Sequence, residues 1–440
     1  MLNVQQRPLA ALKRNPRNAR AHSNKQISQI QTSIRELGFI VPIVIDDEGI
    51  VLAGHGRLLA AERIGLEAVP TVIVSHLNEA QKRVFALADN KIAANAGWDR
   101  AALAVELGEL TELLPQLNLD ISVSGFEPAE IDSLLTDFAG LTTEPDDGVA
   151  IASDQTPISR RGDLWQMGTH RLLCGDSTAA SDMATLTCGQ QAAMVFADPP
   201  YNVVIKKTLG RGRIKHREFL QGSGEMSEAD FDGFLQKAMR RASEHSKSGS
   251  IQFFCIDWRH IAAMITAGKV IFGELANLIV WVKTNAGQGS FYRSQHELIC
   301  VFKNGDAPHQ NNVEQGKHGR NRTNVWQYPG VNTFRKDRMR DLAAHPTVKP
   351  ITLIADAIKD CTYRNDIVLD PFLGSGTTLL AAERTGRRTY GLEIDPIYVD
   401  CAIKRWQDLT RRDAILESTG QTFDELAASN HRSQDRRAAP

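Results

Sequence analysis

The stretch Asp366-Ile367-Val368-Leu369-Asp370-Pro371-Phe372-Leu373-Gly374-Ser375-Gly376-Thr377-Thr378 reads as a strand, a glycine loop and the start of a helix. The pattern predicts a helix from Thr377 to Arg384, stopped by Gly386. A further strand, Thr389 to Ile394, carries Glu393, 17 positions after Gly376. Strand, glycine loop, helix, strand and acid are the order in which α/β folds hold a ribosyl cofactor. Glycines let the backbone approach a ligand, and the acid takes ribose hydroxyls. The usual dinucleotide fingerprint is broken, because Leu379 stands at its third glycine. A phosphate loop is excluded as well, since Thr377 rather than Lys follows Gly376. Asp370 beside the loop repels a pyrophosphate and attracts an ammonium group. An acid at each end of the loop suits a ligand with a ribose and an amino-acid end, as in S-adenosylmethionine.

Working outward, the apolar run Ala192 to Ala197 predicts a buried strand. It runs into Asp198-Pro199-Pro200-Tyr201-Asn202. Proline fixes φ and lacks an N–H, so the pair sets its carbonyls in a preset direction. Asp198 can accept from an amino group beside them, and Tyr201 offers a flat face to a planar ring. Such a corner fits an aromatic amine; on its own it serves equally as a proline-rich turn.

Together these pieces resemble the amino-methylating DNA methyltransferases, which modify adenine N6 or cytosine N4. The resemblance covers roughly Arg161 to Leu409. Asp198-Pro199-Pro200-Tyr201 is similar to the family's catalytic motif, and Asp370 to Gly376 to its cofactor loop. His345-Pro346-Thr347-Val348-Lys349-Pro350 resembles the segment that helps hold the methionine end of the cofactor. Ser294 to Phe302 resembles the structural motif before the target-recognition region, and Gly175-Asp176-Ser177 the turn near the cofactor's adenine. The order, catalytic motif first, is that of the β-arranged subgroup. The resemblance implies an α/β, doubly wound S-adenosylmethionine-dependent methyltransferase fold over residues 161–412. It implies Asp198, Pro199, Pro200 and Tyr201 as catalytic residues. It further implies Asp176, Thr347, Lys349, Asp370, Phe372, Gly374, Ser375, Gly376, Thr377 and Glu393 as cofactor residues. Asp at the head of the catalytic motif points to adenine N6. Cytosine N4 is the alternative, and a catalytically spent DNA-binding regulator the reading from another class.

Residues 1–95 have their own grammar. Ile27, Ile30, Ile34 and Leu37 recur at helical spacing before Gly38, and strands follow at Val41 to Ile45, Ile50 to Ala53 and Val69 to Val74. Between them, Gly54-His55-Gly56-Arg57 leads into a helix from Leu58 to Ile64. This small α/β domain resembles that of ParB partition proteins and sulfiredoxins, and the resemblance makes those four residues a candidate nucleotide loop. A tight turn needs the two glycines just as much. No helix-turn-helix is evident after it. Residues 96–139 read as a helical connector with Leu103, Leu107, Leu110, Leu113 and Leu114 on one stripe. Residues 140–160 read as a linker, 413–440 as a polar tail, and Asn430 to Pro440 as disordered.

The charge balance, −1 over 440 residues, names no partner, so local clusters must. Lys206, Lys207, Arg211, Arg213, Lys215 and Arg217 fall within twelve positions directly after the catalytic corner, where phosphate contacts would be needed. Arg320 and Arg322 belong to a second basic stretch, inside a candidate recognition region at residues 305–344. Double-stranded DNA is therefore the expected partner, with room for a homodimer and a restriction partner left unknown. The six cysteines lie in apolar segments without a CxxC pair, and no metal site is expected. The amino terminus lacks a signal-like apolar stretch and no run reaches membrane-spanning length, so a cytoplasmic protein is expected.

Overall fold

The computed structural model describes residues 3–117, 119–138, 156–202, 222, 224–286, 291–313, 322–329 and 349–429. The chain divides into two units, Met1–Leu141 and Thr142–Pro440. The first holds β1 (Val4–Pro8), α1 (Asn24–Leu37), β2 (Ile43–Ile45), β3 (Val51–Ala53), α2 (His55–Ile64) and β4 (Ala68–Ile73). After them come α3 (Glu79–Asn95), α4 (Arg100–Leu113) and α5 (Pro128–Phe138). Ser23 caps α1 by accepting from the Gln26 N–H, and Gly38 at φ 86° ends it. The strands form one sheet in the order β1-β4-β2-β3. Ile43, Ile45, Val51 and Val69 pack there against Leu58 and Ala61 of α2. A smaller core joins Leu107 of α4 to Ile131 and Leu134 of α5. The expected leucine stripe holds at Leu107 but not at Leu113, which is 52% exposed where α4 ends.

In the second unit β5 (Leu164–Met167), β6 (His170–Cys174), α6 (Ala180–Thr187) and β7 (Ala192–Ala197) come first. Next are α7 (Glu228–Glu244), β8 (Ser246–Ile256), α8 (Ile261–Phe272), β9 (Asn277–Lys283), β10 (His296–Lys303) and β11 (Val325–Tyr328). The unit closes with α9 (Ile351–Cys361), β12 (Ile367–Asp370), α10 (Thr377–Thr385), β13 (Arg388–Glu393), α11 (Pro396–Thr410) and β14 (Ile415–Leu416). The strands make a ten-stranded sheet, ordered β11-β9-β10-β8-β7-β12-β13-β6-β5-β14. Its middle, β8-β7-β12-β13-β6, is parallel throughout.

Period-two alternation explains why β7 is apolar at every position. Met194 and Phe196 enter one core with Ile354 of α9, Leu379 of α10 and Val399 of α11. Val195 and Ala197 enter the opposite core with Met183 of α6, Leu235 of α7 and Met264 of α8. A parallel strand covered by helices on both faces has no polar side to show. The sheet is thus doubly wound, as the glycine-loop grammar implied. Five cysteines are buried, while Cys188, at the end of α6, is exposed, contrary to its place in an apolar run. Among the described residues no helix is long and apolar enough to cross a membrane.

Two helical glycines respond oppositely to the same change. A Cβ on Gly268 in α8 would run into the Phe302 ring, whereas one on Gly233 in α7 meets nothing within 4 Å. Gly268→Ala is expected to destabilise by about 1–3 kcal/mol through overpacking. Gly233→Ala should stabilise by roughly 0.5–1 kcal/mol through helix propensity. Denaturant melts of both variants check the pair.

Candidate active site

Strands β7 and β12 are neighbours, with Leu369 opposite Val195. The Asp198 corner and the glycine loop after Asp370 therefore open from adjacent carboxyl ends, although 172 positions separate the two acids in sequence. β13 continues the row, its Leu392 and Glu393 beside Leu173 and Cys174 of β6. Four segments of the sequence reading, at 175–177, 198–201, 370–377 and 393, thus lie along one edge.

On the ligand-holding side the loop is set by its acids. Asp370 Oδ1 accepts from the Phe372 N–H (2.9 Å) and Oδ2 from the Thr378 hydroxyl (2.6 Å). Glu393 Oε2 accepts from the Gly374 N–H and Oε1 from the Asp395 N–H, both at 2.8 Å. Burial pushes Asp370 up to about 7 against those hydrogen bonds, and does the same to Glu393. Gly376 needs its glycine: φ is 90°, and a Cβ would press within 2.8 Å of Ala402 on α11. Phe372 and Gly374 are half-buried at the cleft, while Thr377 is buried as the first residue of α10. Ser375 departs from expectation, since Arg405 donates to its carbonyl (2.7 Å) and Oγ (3.0 Å) and holds it in the interior. Asp176 Oδ1 accepts from the Thr178 N–H and hydroxyl, so its carboxylate shapes the turn after β6.

At the catalytic corner Asp198 Oδ1 accepts from the Tyr201 hydroxyl (2.6 Å) and Oδ2 from Lys349 Nζ (2.6 Å). Lys349 Nζ also lies 3.0 Å from Glu297 Oε2 and 3.2 Å from the Tyr201 hydroxyl. Lys283 Nζ pairs with the other Glu297 oxygen. Lys349, expected at the methionine end of a cofactor, lies at the Asp198 corner. Burial alone would raise Glu297, yet Lys349 and Lys283 bring it down to about 2. For Asp198 burial dominates and raises the carboxyl, with Lys349 pulling the other way. Glu297, Lys283 and Trp281 went unread as site residues. The available signal was a Lys ending one apolar strand and a Glu opening the next, at positions 283 and 297.

A carboxylate group this dense favours a cationic ligand. Asp198 and Glu297 share Lys349 and Lys283 pairs with Glu297, while Asp370 and Glu393 take backbone and hydroxyl donors, so four acids meet two ammonium groups along the edge. A sulfonium with an amino-acid tail fits that balance, and half-buried Gly374, its N–H held by Glu393, leaves no side chain in the way of a ribose beside that acid.

Other expectations fared differently. Lys206, Lys207, Arg211, Arg213, Lys215, Arg217, Arg320 and Thr347 lie outside the described residues, as do most of the linker, much of 305–344 and Asn430 to Pro440. Arg322 is no free DNA contact. Its guanidinium reaches Asp360 (2.8 Å) and Asp356 (3.3 Å), donates to the Tyr328 hydroxyl (2.8 Å) and lies over Trp326 (4.6 Å). In the first unit Gly54 at φ 98° caps α2, so His55, Gly56 and Arg57 stand in the helix rather than in a loop. Arg57 turns inward to the Pro42 carbonyl.

A model described as DNA methylase matches residues 192–404, and one described as ParB N-terminal domain matches residues 1–91. A ParB-methyltransferase HTH domain model matches residues 101–161, which overturns the expectation that no helix-turn-helix follows the first domain. The turn between α4 and α5 is built from short 3₁₀ turns at Leu114–Leu117 and Ile121–Ser124, so the simple turn signal is missing. The type II methyltransferase M2.DpnII of Streptococcus pneumoniae is 30% identical over 227 residues, 48% of this chain and 81% of that protein. The ParB-like nuclease domain-containing protein YnaK of Escherichia coli (strain K12) is 40% identical over 82 residues, 19% of this chain and 94% of that protein. Among solved structures, the cytosine-N4-specific PvuII DNA methyltransferase is 16% identical with a TM-score of 0.43, covering 57% of this chain and 89% of that one.

Removing Arg322 leaves Asp356 and Asp360 without a shared cation. Arg322→Ala is expected to lose roughly 2 kcal/mol, less than a fully buried pair because the side chain is 18% exposed. An unchanged melting temperature together with weaker, salt-sensitive DNA binding would return Arg322 to the DNA-contacting set.

Proposed function

The chain belongs to the N6/N4 DNA methylase family, with a ParB-like domain in its first unit, and we propose that it methylates adenine N6 in duplex DNA. One observation carries the reading: an amine-accepting acid and a cation-attracting glycine loop end adjacent strands of one sheet. Asp370, Phe372, Gly374 and Glu393 hold S-adenosylmethionine, with Asp176 near its adenine. When bound, that cofactor supplies a methyl group on a positively charged sulfur.

The target amine is a poor nucleophile because its lone pair is delocalised into the ring. Asp198 accepts one of its hydrogens and the Pro199 carbonyl the other, which localises the pair and aims it. Flipping the base out of the stack costs about a few kcal/mol. The Tyr201 ring, anchored through its hydroxyl to Asp198, recovers part of that by stacking, roughly 1–3 kcal/mol. Pro199 and Pro200 hold the corner rigid, so positioning supplies much of the rate. Methylation leaves the amine with a proton in excess, and Asp198, raised by burial, is placed to take it. Asp rather than Ser at the head of the motif supports adenine over cytosine. The basic runs Lys206–Arg217 and Arg320 supply phosphate contacts to the duplex.

Asp198→Ala should lower methyl transfer by about 10²–10³-fold or more while S-adenosylmethionine binding survives. Digestion of DNA treated with the purified protein, followed by mass analysis of nucleosides, should show N6-methyladenine. N4-methylcytosine alone would overturn the base assignment, and full activity of the variant would remove Asp198 from its role.

Burial pushes Glu393 and Asp370 up to about 7, and both serve the cofactor as carboxylates. Each is protonated as pH falls through about 7, which withdraws the negative charge. S-adenosylmethionine affinity is expected to weaken roughly tenfold for each group from pH 8 to pH 6, about a hundredfold for the two together. Calorimetric titration across that range checks the sign. In Glu393→Gln about a tenfold dependence should remain, carried by Asp370.

A further inference from the structure

We propose that the Lys349 ammonium is the resting occupant of the amine subsite on Asp198, and that it passes to Glu297 when the target amine arrives. The proposal rests on the methyl-transfer reading of this corner and adds a positioning residue to it. Three observations carry it. Lys349 Nζ donates to Asp198 Oδ2 at 2.6 Å, on the carboxylate that the base amine must reach, and its side chain is only 3% exposed. It already lies 3.0 Å from Glu297 Oε2, so transfer needs no large movement. Lys283 occupies the other oxygen of Glu297 and keeps that acceptor in place. Around the ammonium stand the Tyr201 ring, 5.6 Å to its centroid, and the Trp281 ring at 5.8 Å, an aromatic enclosure suited to a cation.

The exchange conserves interactions. Asp198 gives up one N–H donor and gains another, while Lys349 keeps Glu297. Without the ammonium, Asp198 and Glu297 would be two buried acids in mutual repulsion, and Asp198 would take up a proton. A protonated Asp198 is a weaker acceptor for the amine. The titratable groups facing Lys349 are Asp198 and Tyr201 after β7, Cys255 on β8, Lys283 on β9, Glu297 on β10 and, through Asp198, Asp370 on β12. Burial would lower the ammonium, but Asp198 and Glu297 outweigh it and hold it protonated. A protonated lysine has no lone pair, so it can sit in the acceptor position without being methylated itself.

The test is the pH dependence of single-turnover methyl transfer by the full-length protein on unmethylated plasmid DNA. In Lys349→Met the acid limb should move up by about one pH unit or more, because Asp198 loses its countercharge. S-adenosylmethionine affinity at pH 8 should stay within about twofold of wild type, which a general loss of structure would not allow. In Lys349→Ala, added methylammonium should move the limb back toward the wild-type position. An active Lys349→Met with an unmoved limb overturns the proposal, and so does an active Lys349→Ala on which methylammonium has no effect. Those outcomes leave the enzymatic reading intact. A wild-type protein that binds the cofactor yet methylates no DNA at any pH sinks both.

Discussion

The rung between β7 and β12 is the constraint on which the site depends. Two strands far apart in sequence pair in parallel, and the loops that follow them must then leave the sheet side by side. Parallel pairing fixes direction as well as neighbourhood, so both loops emerge at carboxyl ends, where α/β sheets bind ligands. The apolar alternation of β7 makes the rung durable, because Met194 and Phe196 anchor it in one core and Val195 and Ala197 in the other. A slip of one residue would exchange those faces and carry Asp198 away from the glycine loop.

Around that rung the charges are arranged in two tiers. Asp370 and Glu393 are tied into the loop by backbone and hydroxyl donors, and burial pushes both up to about 7. Glu297 is held firmly ionised between two lysines. Asp198 differs from Glu297: it contacts Lys349, yet burial raises its carboxyl. A raised carboxyl suits the proposed role, accepting hydrogens from a neutral amine and then a proton from the product. An acid paired as tightly as Glu297 would hold its charge too firmly for the second task.

Much of this was legible in the sequence because it was written locally. Ala192 to Ala197 proved to be the strand it was read as, and Thr377 opened the expected helix between Gly376 and Gly386. Strand periodicity and glycine punctuation need only neighbours in the chain. The ion network could not be read that way. Lys349 gains its meaning from Asp198 and Glu297, which reach it only after the sheet has formed. Arg322 misled for the same reason. Basic neighbours suggested a surface, yet its partners Asp356 and Asp360 lie four apart on α9, a pairing that helix spacing alone could have suggested. The Gly54 turn was mistaken for a longer loop because a helix that begins on a left-handed glycine gives little warning of its first residue.

Asp198 stands at a border within the sheet. On one side lie β12, β13 and β6, which carry Asp370, Glu393 and the Asp176 turn; on the other lie β8, β10, β9 and β11. Among the described residues, β7 with the corner that follows it is the strand standing between the two sides. Glu297 is the side chain that crosses this border: it stands on β10, yet it shares the Lys349 ammonium with Asp198, so a change there would reach the corner after β7 through a single cation.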